Sequence, residues 1–157
     1  SHFETAKFLI NRFDYLFNKS STSQSYFHPP LELINIDYFQ DIKIGNINIK
    51  SIQQKHGAID TLGFVFNNLF GYCTDVVDFP PESFNLLYNL DVLIVTGLRE
   101  KPHIAHAHFD LSFKWIKELS PKSAYLTHLS PESDHDAVLS ICPKDVEPAY
   151  DGLVINI

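Results

Sequence analysis

The stretch DVLIVTGL, residues 91–98, decides the fold class of this chain. Its apolar residues run almost without a break, which is typical of a strand buried on both faces of a sheet. Two patterned stretches follow it: FDLSFKWIKEL, residues 109–119, has the spacing of an amphipathic helix, and SAYLTH, residues 123–128, is typical of a strand. Strand, helix and strand in this order predict an α/β domain.

Upstream of this region the pattern predicts hairpins. IKIGNINIKSI, residues 42–52, alternates apolar and polar residues around a Gly-Asn pair, which is typical of a two-residue turn. LGFVFNNLFGYCTD, residues 62–75, repeats the pattern around an Asn-Asn pair. A further strand is predicted over residues 31–36. We therefore expect a mixed sheet with hairpins at one side and strand–helix units at the other.

The remaining segments are predicted as helices over residues 4–17, 80–90 and 131–141, and as a turn into a last strand over residues 150–157. Residues 18–30 are rich in Ser and end in Pro-Pro, so they predict a mobile loop. Met is absent, including at position 1. We therefore expect the chain to be part of a longer protein.

Charge and composition exclude some partners. The net charge is −7 and there is no Lys/Arg run, so extended nucleic acid is a poor partner. No apolar run approaches the length of a membrane span. Cys73 and Cys142 are far apart and suggest neither a disulfide framework nor a metal clip, so a cytoplasmic location is expected.

Four polar residues stand at or beyond the ends of predicted strands: His56, Asp75, His106 and His128. Ligand sites of open α/β folds form where strands end. Imidazole and carboxylate together suit a divalent ion such as zinc or manganese. Taken singly, each residue also has a plainer explanation, as a surface histidine or as an aspartate that ends a turn.

The stretch KPHIAHAHFD, residues 101–110, holds His103, His106 and His108 within six positions. In a loop this spacing fixes no coordination geometry, unlike two histidines four apart on a helix. The cluster alone therefore leaves open a metal site, another part of an active site and a polar loop. Asp134-His135-Asp136 also looks metal-like, but we expect it to begin a helix and face solvent.

HGAIDTLGFVF, YCTDV, PHIAHAHFD, YLTHLS and AYDGLVI, in this order, resemble the C-terminal part of the metallo-β-lactamase superfamily. Within it, the likeness is greatest to the branch with the phosphodiesterase of bacterial phosphonate breakdown, which opens cyclic ribose phosphates. The resemblance covers nearly the whole chain. It implies that residues 1–157 are the later part of a single α/β domain, a metallo-β-lactamase-like αββα sandwich.

The resemblance also implies roles for single residues. His56 in KHG and His128 in LTH match metal ligands, and Asp75 in CTD matches the carboxylate that bridges two ions. His106 matches a non-ligand histidine near the scissile phosphate, where an imidazolium would bind phosphoryl oxygens or protonate the leaving group. His108 is the second catalytic candidate, although solvent exposure alone explains both His103 and His108.

One departure from the family is large: the HxHxDH motif, which supplies two ligands to each metal, does not occur in this sequence. We expect the intact protein to bind two divalent ions, zinc or manganese, and to hydrolyse a small phosphate ester, cyclic ones included, through a metal-bound hydroxide. The chain by itself is expected to be inactive. It should bind at most one ion, weakly, through His56, Asp75 and His128.

Other functions remain open at this point. The same fold serves tRNA 3′-end endonucleases and lactone or thioester hydrolases, and the missing basic surface weakens the endonuclease hypothesis. An alternative hypothesis is that the chain is a non-catalytic fragment, a half-domain that pairs with a second copy. The strands predicted within residues 31–52 and 62–73 are rich in Ile, Leu and Phe, so an uncovered sheet would favour a homodimer.

Overall fold

A computed structural model of the chain describes residues 2–17 and 31–157, in two compact units. The first unit lies within Ser1–Asp37 and contains helix α1, Phe3–Arg12, and helix α2, Asp14–Phe17. The single helix predicted over residues 4–17 is therefore two, interrupted at Phe13, whose backbone leaves the helical region (φ −130°, ψ 40°). The loop predicted over residues 18–30 lies outside the described residues.

The strand predicted over residues 31–36 is wrong. These residues are irregular, and within the described chain none of them joins a sheet ladder. Leu31 is 49% exposed and Ile34 66% exposed, so their apolar side chains do not mark a buried face. A run of β-prone residues forms a strand only where a neighbouring strand pairs with it.

The second unit, Tyr38–Ile157, contains the sheet. Its elements in chain order are β1 Asp41–Ile44, β2 Ile47–His56, β3 Ile59–Phe66, β4 Phe70–Cys73, α3 Pro81–Asn85, β5 Val92–Thr96, α4 Phe109–Leu119, β6 Ser123–Thr127, α5 His135–Ile141 and β7 Val146–Pro148. The strands lie side by side in this order. Strands β1 to β4 pair antiparallel and β4 to β7 pair parallel, which confirms the mixed α/β sheet.

Strand direction follows from these pairings. Because β2 and β4 both run antiparallel to β3, β2 runs in the same direction as β4 and as the parallel strands beyond it. The carboxyl ends of β2, β4, β5, β6 and β7 therefore share one edge of the sheet. This edge is called the carboxyl edge below.

The turns agree in part with the predictions. The first hairpin turns at Gly45 and Asn46, as expected. The Asn-Asn turn takes a third residue, Leu69, and both asparagines have positive φ, which Asn tolerates better than most residues. A further turn at residues 57–58 joins β2 to β3.

Three later predictions need correction. Helix α5 begins at His135, after a turn at residues 131–132, so the helix predicted over residues 131–141 is shorter. Helix α3 ends at Asn85 and turns occupy residues 86–89, so the helix predicted over residues 80–90 is shorter. The strand predicted within residues 150–157 is absent from the described chain, where a turn at residues 151–152 leads into irregular backbone. The last strand of the described chain is instead β7, which pairs with β6. Val146 and Pro148 are buried in it, whereas residues 153–157 are mostly exposed.

One face of the sheet packs with α3, α4, α5 and the segments beside them into a hydrophobic core. Helix α4 is amphipathic as predicted, and its buried residues are Phe109, Ser112, Trp115, Ile116 and Leu119. This core face is closed: Leu93 and Leu126 are at most 1% exposed.

On the opposite side of the sheet Val92 and Thr96 are buried, and a patch called the aromatic face consists of Phe64, Phe66, Phe70, Tyr72, Ile94 and Tyr125. These side chains are half-buried or exposed, in contrast to the core face. Among the described helices, none is long and apolar enough to span a membrane.

Candidate metal centre

Three predicted ligands meet because of strand direction. His56 is the last residue of β2, Asp75 follows β4 by two residues, and His128 directly follows β6. All three strands run toward the carboxyl edge, so the three side chains lie on one rim. This confirms the expected placement of His56, Asp75 and His128 at strand ends on one edge of a mixed sheet.

The Asp75 carboxylate lies at the middle of a histidine cluster. Its Oδ1 is 3.9 Å from His56 Nε2, 3.9 Å from His106 Nδ1 and 3.6 Å from His128 Nε2. These distances exceed those of hydrogen bonds. Donors that each sit about 2.1 Å from one tetrahedral ion are about 3.4 Å apart. The spacing therefore resembles that of ligands around a cation.

One group of the described residues has the donor spacing that can hold an ion. Donor atoms of His56, Asp75 and His106 all lie within 4.8 Å of one another. The sequence assigned His128 rather than His106 to the metal, and His128 has the shorter distance to Asp75. His56 and Asp75 are common to this group and to the predicted ligand set, and imidazole and carboxylate donors suit zinc or manganese. The division of roles between His106 and His128 stays a prediction.

The hydrogen bond of His56 fixes which nitrogen faces the cluster. Its Nδ1 is 2.8 Å from the carbonyl oxygen of Ala105, which can only accept, so Nδ1 carries the proton and donates. Nε2 then presents its lone pair toward Asp75. Metal-ligating histidines are commonly held in this way, with the other ring nitrogen donating to a backbone carbonyl.

Gly57 permits this contact with the His-rich loop. A Cβ at this position would lie 3.3 Å from the Cβ of Ala105, and the backbone has a positive φ of +62°. A larger residue would therefore be strained and would press on the segment that orients His56.

His106 lies among three other imidazoles. Its ring centroid is 4.5 Å from that of His56, 4.6 Å from that of His128 and 5.0 Å from that of His103. Its Nδ1 is buried and has no hydrogen-bond partner among the described residues. A buried ring nitrogen that has no hydrogen-bond partner and lies beside a carboxylate can donate its lone pair to a cation.

The electrostatics of His106 favour its neutral form. Burial and the nearby His128 and His56 lower the pKa of its imidazole, and the Asp75 carboxylate only partly opposes them. This differs from the imidazolium that the resemblance implies. In the metal-free protein the imidazole is therefore a lone-pair donor and a proton acceptor.

The backbone at two of these residues is unusual. Asp75 has a φ of 55° and His128 a φ of 62°, in the left-handed region that few non-glycine residues occupy. Such conformations cluster at functional sites, where the surrounding structure enforces them. Asp75 and His128 thus occupy the strand ends in a sterically disfavoured backbone conformation.

The other histidines of the loop behave differently from one another. His103 joins the cluster: its ring stacks on His106 and its Nδ1 accepts a hydrogen bond from the amide of Ala105. His108 is the N-cap residue of α4, and its carbonyl accepts from the amide of Ser112. Its ring is outside the stack of imidazoles in the described chain, and its catalytic role stays a prediction.

The remaining metal-like segment has a structural role. Asp134 is the N-cap of α5 and its carboxylate accepts a hydrogen bond from the amide of Ala137, while His135 and Asp136 open the helix as expected. Two residues that sequence reasoning missed, Gln54 and Thr61, contact the backbone around Asp75. Only the register of β2 with β3, which the sequence does not fix, would have revealed them.

A mixed sheet with imidazoles and a carboxylate gathered at its carboxyl edge defines a metallo-β-lactamase type of α/β fold. The family model described as beta-lactamase superfamily domain matches residues 2–129, and the chain belongs to this family. No curated protein matches the chain.

Solved structures give the same fold. One described as a new diphosphatase from the PhnP family is 26% identical, with a TM-score of 0.85 over 98% of this chain and 55% of its own. YhfI from Bacillus subtilis, a metallo-β-lactamase fold protein, is 17% identical, with a TM-score of 0.70 over 92% of this chain and 60% of its own.

The short form of human tRNase Z is 19% identical, with a TM-score of 0.59 over 74% of this chain and 44% of its own. The likeness to YhfI and to tRNase Z shows the fold alone. The chain spans between about two fifths and three fifths of the length of these three structures.

Proposed function

We propose that the cluster is part of the metal centre of a hydrolase that acts on small phosphate esters, cyclic ones included. The observation that carries this proposal is the Asp75 carboxylate with three imidazole nitrogens 3.6–3.9 Å from it at the carboxyl edge. The similarity to a diphosphatase of the PhnP family supports chemistry at a phosphoryl group.

In this proposal His56 and Asp75 hold a divalent ion together with His128. A bound zinc or manganese ion supplies a Lewis acid, which acidifies water and offsets charge on phosphate oxygens. The chain's own part is to orient the ligands: the carbonyl of Ala105 fixes the ring of His56, and the left-handed backbone directs Asp75 and His128. The intact enzyme would bind two ions, and this chain at most one, weakly.

We propose that His106 accepts and donates a proton near the reacting phosphate. Its lowered pKa keeps the imidazole neutral and able to accept a proton at neutral pH. An anionic substrate close to the ring would favour protonation and so let the same nitrogen donate to a leaving oxygen. His108 is the second candidate for contact with substrate.

The charge of the chain limits the substrate class. With a net charge of −7 and no run of Lys or Arg, the protein lacks the cation cluster that an extended RNA backbone requires. A small phosphate ester needs no such surface, because metal ions dominate the local charge at the site. The free thiols of Cys73 and Cys142 fit the proposed cytoplasmic location.

A calorimetric titration of the purified chain with zinc and with manganese tests the metal centre. One weak site is expected, and Asp75→Ala or His56→Ala should weaken it at least about tenfold, because each removes a donor from an already incomplete set. His135→Ala is the matched control, since this histidine lies on α5 outside the cluster, and it should leave the affinity unchanged.

Two tight sites in the titration would contradict the single-ion proposal, and absence of binding would contradict the metal centre. Hydrolysis of bis-p-nitrophenyl phosphate in the presence of excess metal addresses activity. The chain alone is expected to show no turnover. If it hydrolyses the ester and Asp75→Ala abolishes the activity, the proposed chemistry holds but the expected inactivity is wrong.

A further inference from the structure

A pair of polar residues, of which Gln54 is buried and Thr61 half-buried, contacts the backbone around Asp75. Gln54 on β2 and Thr61 on β3 are direct cross-strand partners. Gln54 is 0% exposed, although glutamine is usually a surface residue, and it shares the core face with Ile52. A buried amide in an apolar core calls for a specific set of hydrogen bonds.

The donor and the acceptor in each of these hydrogen bonds are determined by the groups involved. Gln54 Nε2 donates to the carbonyl of Thr74 at 2.8 Å and to Thr61 Oγ1 at 3.1 Å. The carbonyl can only accept, so the amide nitrogen rather than the amide oxygen must face it. Thr61 Oγ1 lies 2.8 Å from the carbonyl of Asp75, and its single proton is therefore committed to that bond.

The two carbonyls that accept these bonds lie on either side of the Cα of Asp75. The Thr74 carbonyl belongs to the peptide plane before Asp75, and the Asp75 carbonyl to the plane after it. Fixing both planes fixes φ and ψ of the residue between them. The φ of Asp75 is 55°, a conformation that needs such support in a residue other than glycine.

Two further features show that the core accommodates Gln54 at a cost. Gln54 Oε1 is buried and has no hydrogen-bond partner among the described residues. Gly63 provides the space, because a Cβ there would lie 2.9 Å from Gln54 Cδ and closer still to Oε1. A leucine would fill this volume without an orphaned oxygen but would leave the Thr74 carbonyl without its donor, so the amide serves this contact rather than the filling of the core.

We propose that Gln54 and Thr61 are positioning residues that set the backbone of Asp75 and thereby aim its carboxylate at the three imidazoles. This inference rests on the proposed metal centre. Neither residue touches a donor atom of the cluster. They act through the two peptide planes that border Asp75.

The test compares Thr61→Val, which keeps the shape but removes the hydroxyl, with Thr61→Ser, which keeps the hydroxyl. In the metal-free chain, the NMR carbon shifts of Asp75 report the left-handed backbone. Thr61→Val should lose this signature and Thr61→Ser should keep it. In a cobalt titration followed by visible absorption, Thr61→Val should bind at least about tenfold more weakly, and Thr61→Ser should match the parent.

Gln54→Leu is the second variant, in case Thr61→Val does not fold. It removes the orphaned amide oxygen but also the donor to the Thr74 carbonyl, so the two effects oppose each other and the thermal midpoint should change little. The Asp75 signature and the cobalt affinity should nevertheless fall. A merely structural role would instead lower the thermal midpoint and leave the Asp75 shifts unmoved.

The outcomes separate the two proposals. Unchanged Asp75 shifts in both Thr61→Val and Gln54→Leu would overturn the positioning role, whatever the metal does. Equal cobalt affinity in the parent and in both variants would overturn it as well. If the parent binds no cobalt, the proposed metal centre fails, and the NMR comparison alone decides whether Gln54 and Thr61 set the Asp75 backbone.

Discussion

Leu93 and Ile94 are neighbours on β5, yet they lie in different surroundings. Leu93 points into the core face and is 1% exposed, whereas Ile94 belongs to the aromatic face and is only half-buried. The same strand therefore lines a closed core on one side, and on the other side Ile94 is partly open to solvent while Val92 and Thr96 are buried. The metal cluster lies at neither face but at the edge where both meet.

The two faces differ in what covers them. On the core face, side chains from α4 such as Trp115 and Leu119 pack among the strand residues. On the aromatic face, Phe64, Tyr72, Ile94 and Tyr125 form a row across four strands, and Tyr72 is 40% exposed. The helices therefore complete the core on one side of the sheet, while the aromatic face on the other side is suited to an interaction.

The largest expected effect comes from truncating the two neighbours on β5. Leu93→Ala should lower the free energy of unfolding by about 2–5 kcal/mol, because it opens a cavity in a filled core. Ile94→Ala should cost about 1 kcal/mol, because a half-exposed side chain loses only part of its transfer energy. Urea unfolding followed by circular dichroism measures both.

Equal losses of unfolding free energy in the two alanine variants would contradict the difference in burial between the two faces. They would show that Ile94 is as well covered in solution as Leu93. The denaturant slope should match that of the parent in both variants, so that the midpoints report stability alone.

A smaller effect is expected from filling the core face at Gly71. A Cβ there would lie 2.9 Å from Leu90 Cδ1, 3.0 Å from Leu93 Cδ1 and 3.2 Å from Leu87 Cδ2. These three leucines are at most 3% exposed and have little room to move, so Gly71→Ala should destabilise by about 1–3 kcal/mol. A thermal midpoint equal to that of the parent would show that the core is looser than its burial implies.

Which parts of the molecule the sequence predicts depends on how local their causes are. The pattern of DVLIVTGL and the helical spacing of α4 are local, and both were found. The strands predicted over residues 31–36 and 150–157 are absent from the sheet. A strand needs a neighbouring strand to pair with, and local composition does not show whether one is present. The positions of His56, Asp75 and His128 at strand ends were predicted from the pattern, while their role as metal ligands stays a prediction.

Other parts of the site needed the fold itself. The stack of His103 on His106 depends on how one loop turns back on itself, and six positions of sequence do not fix that path. The contact of Gln54 with Thr61 depends on the register between β2 and β3. The neutral state of His106 follows from burial and from three neighbours that are distant in sequence or lie in a loop.

A third prediction concerns the helix cap that helps to close the core face. Asp134 accepts a hydrogen bond from the amide of Ala137 at 2.9 Å, and α5 buries Val138. Asp134→Ala should therefore cost about 1 kcal/mol. Asp136→Ala is the control, because its side chain is 95% exposed and should matter less. A loss for Asp136→Ala that equals the loss for Asp134→Ala would refute the capping role.

The last prediction has the smallest effect on stability and concerns the aromatic face. We propose that two copies of the chain associate through this surface, since two identical faces can cover each other around a two-fold axis. Neighbouring rings already contact one another there, with Phe66 and Phe70 stacked at 5.3 Å between centroids. A contiguous apolar surface of this kind normally marks an interaction site.

Tyr72→Lys places a charge in the centre of this face, and Tyr88→Lys is a closely matched control. Both tyrosines are 40% exposed, but Tyr88 lies in the turn after α3, where its ring contacts Phe84. At a concentration where the chain is monomeric, each variant should change the free energy of unfolding by no more than about 0.5 kcal/mol, as at most surface positions. Light scattering over a range of concentrations should show a dimer for the parent and for Tyr88→Lys, and a monomer for Tyr72→Lys. A parent that stays monomeric at high concentration would rule out the dimer and show that the aromatic face is stable in water without a partner.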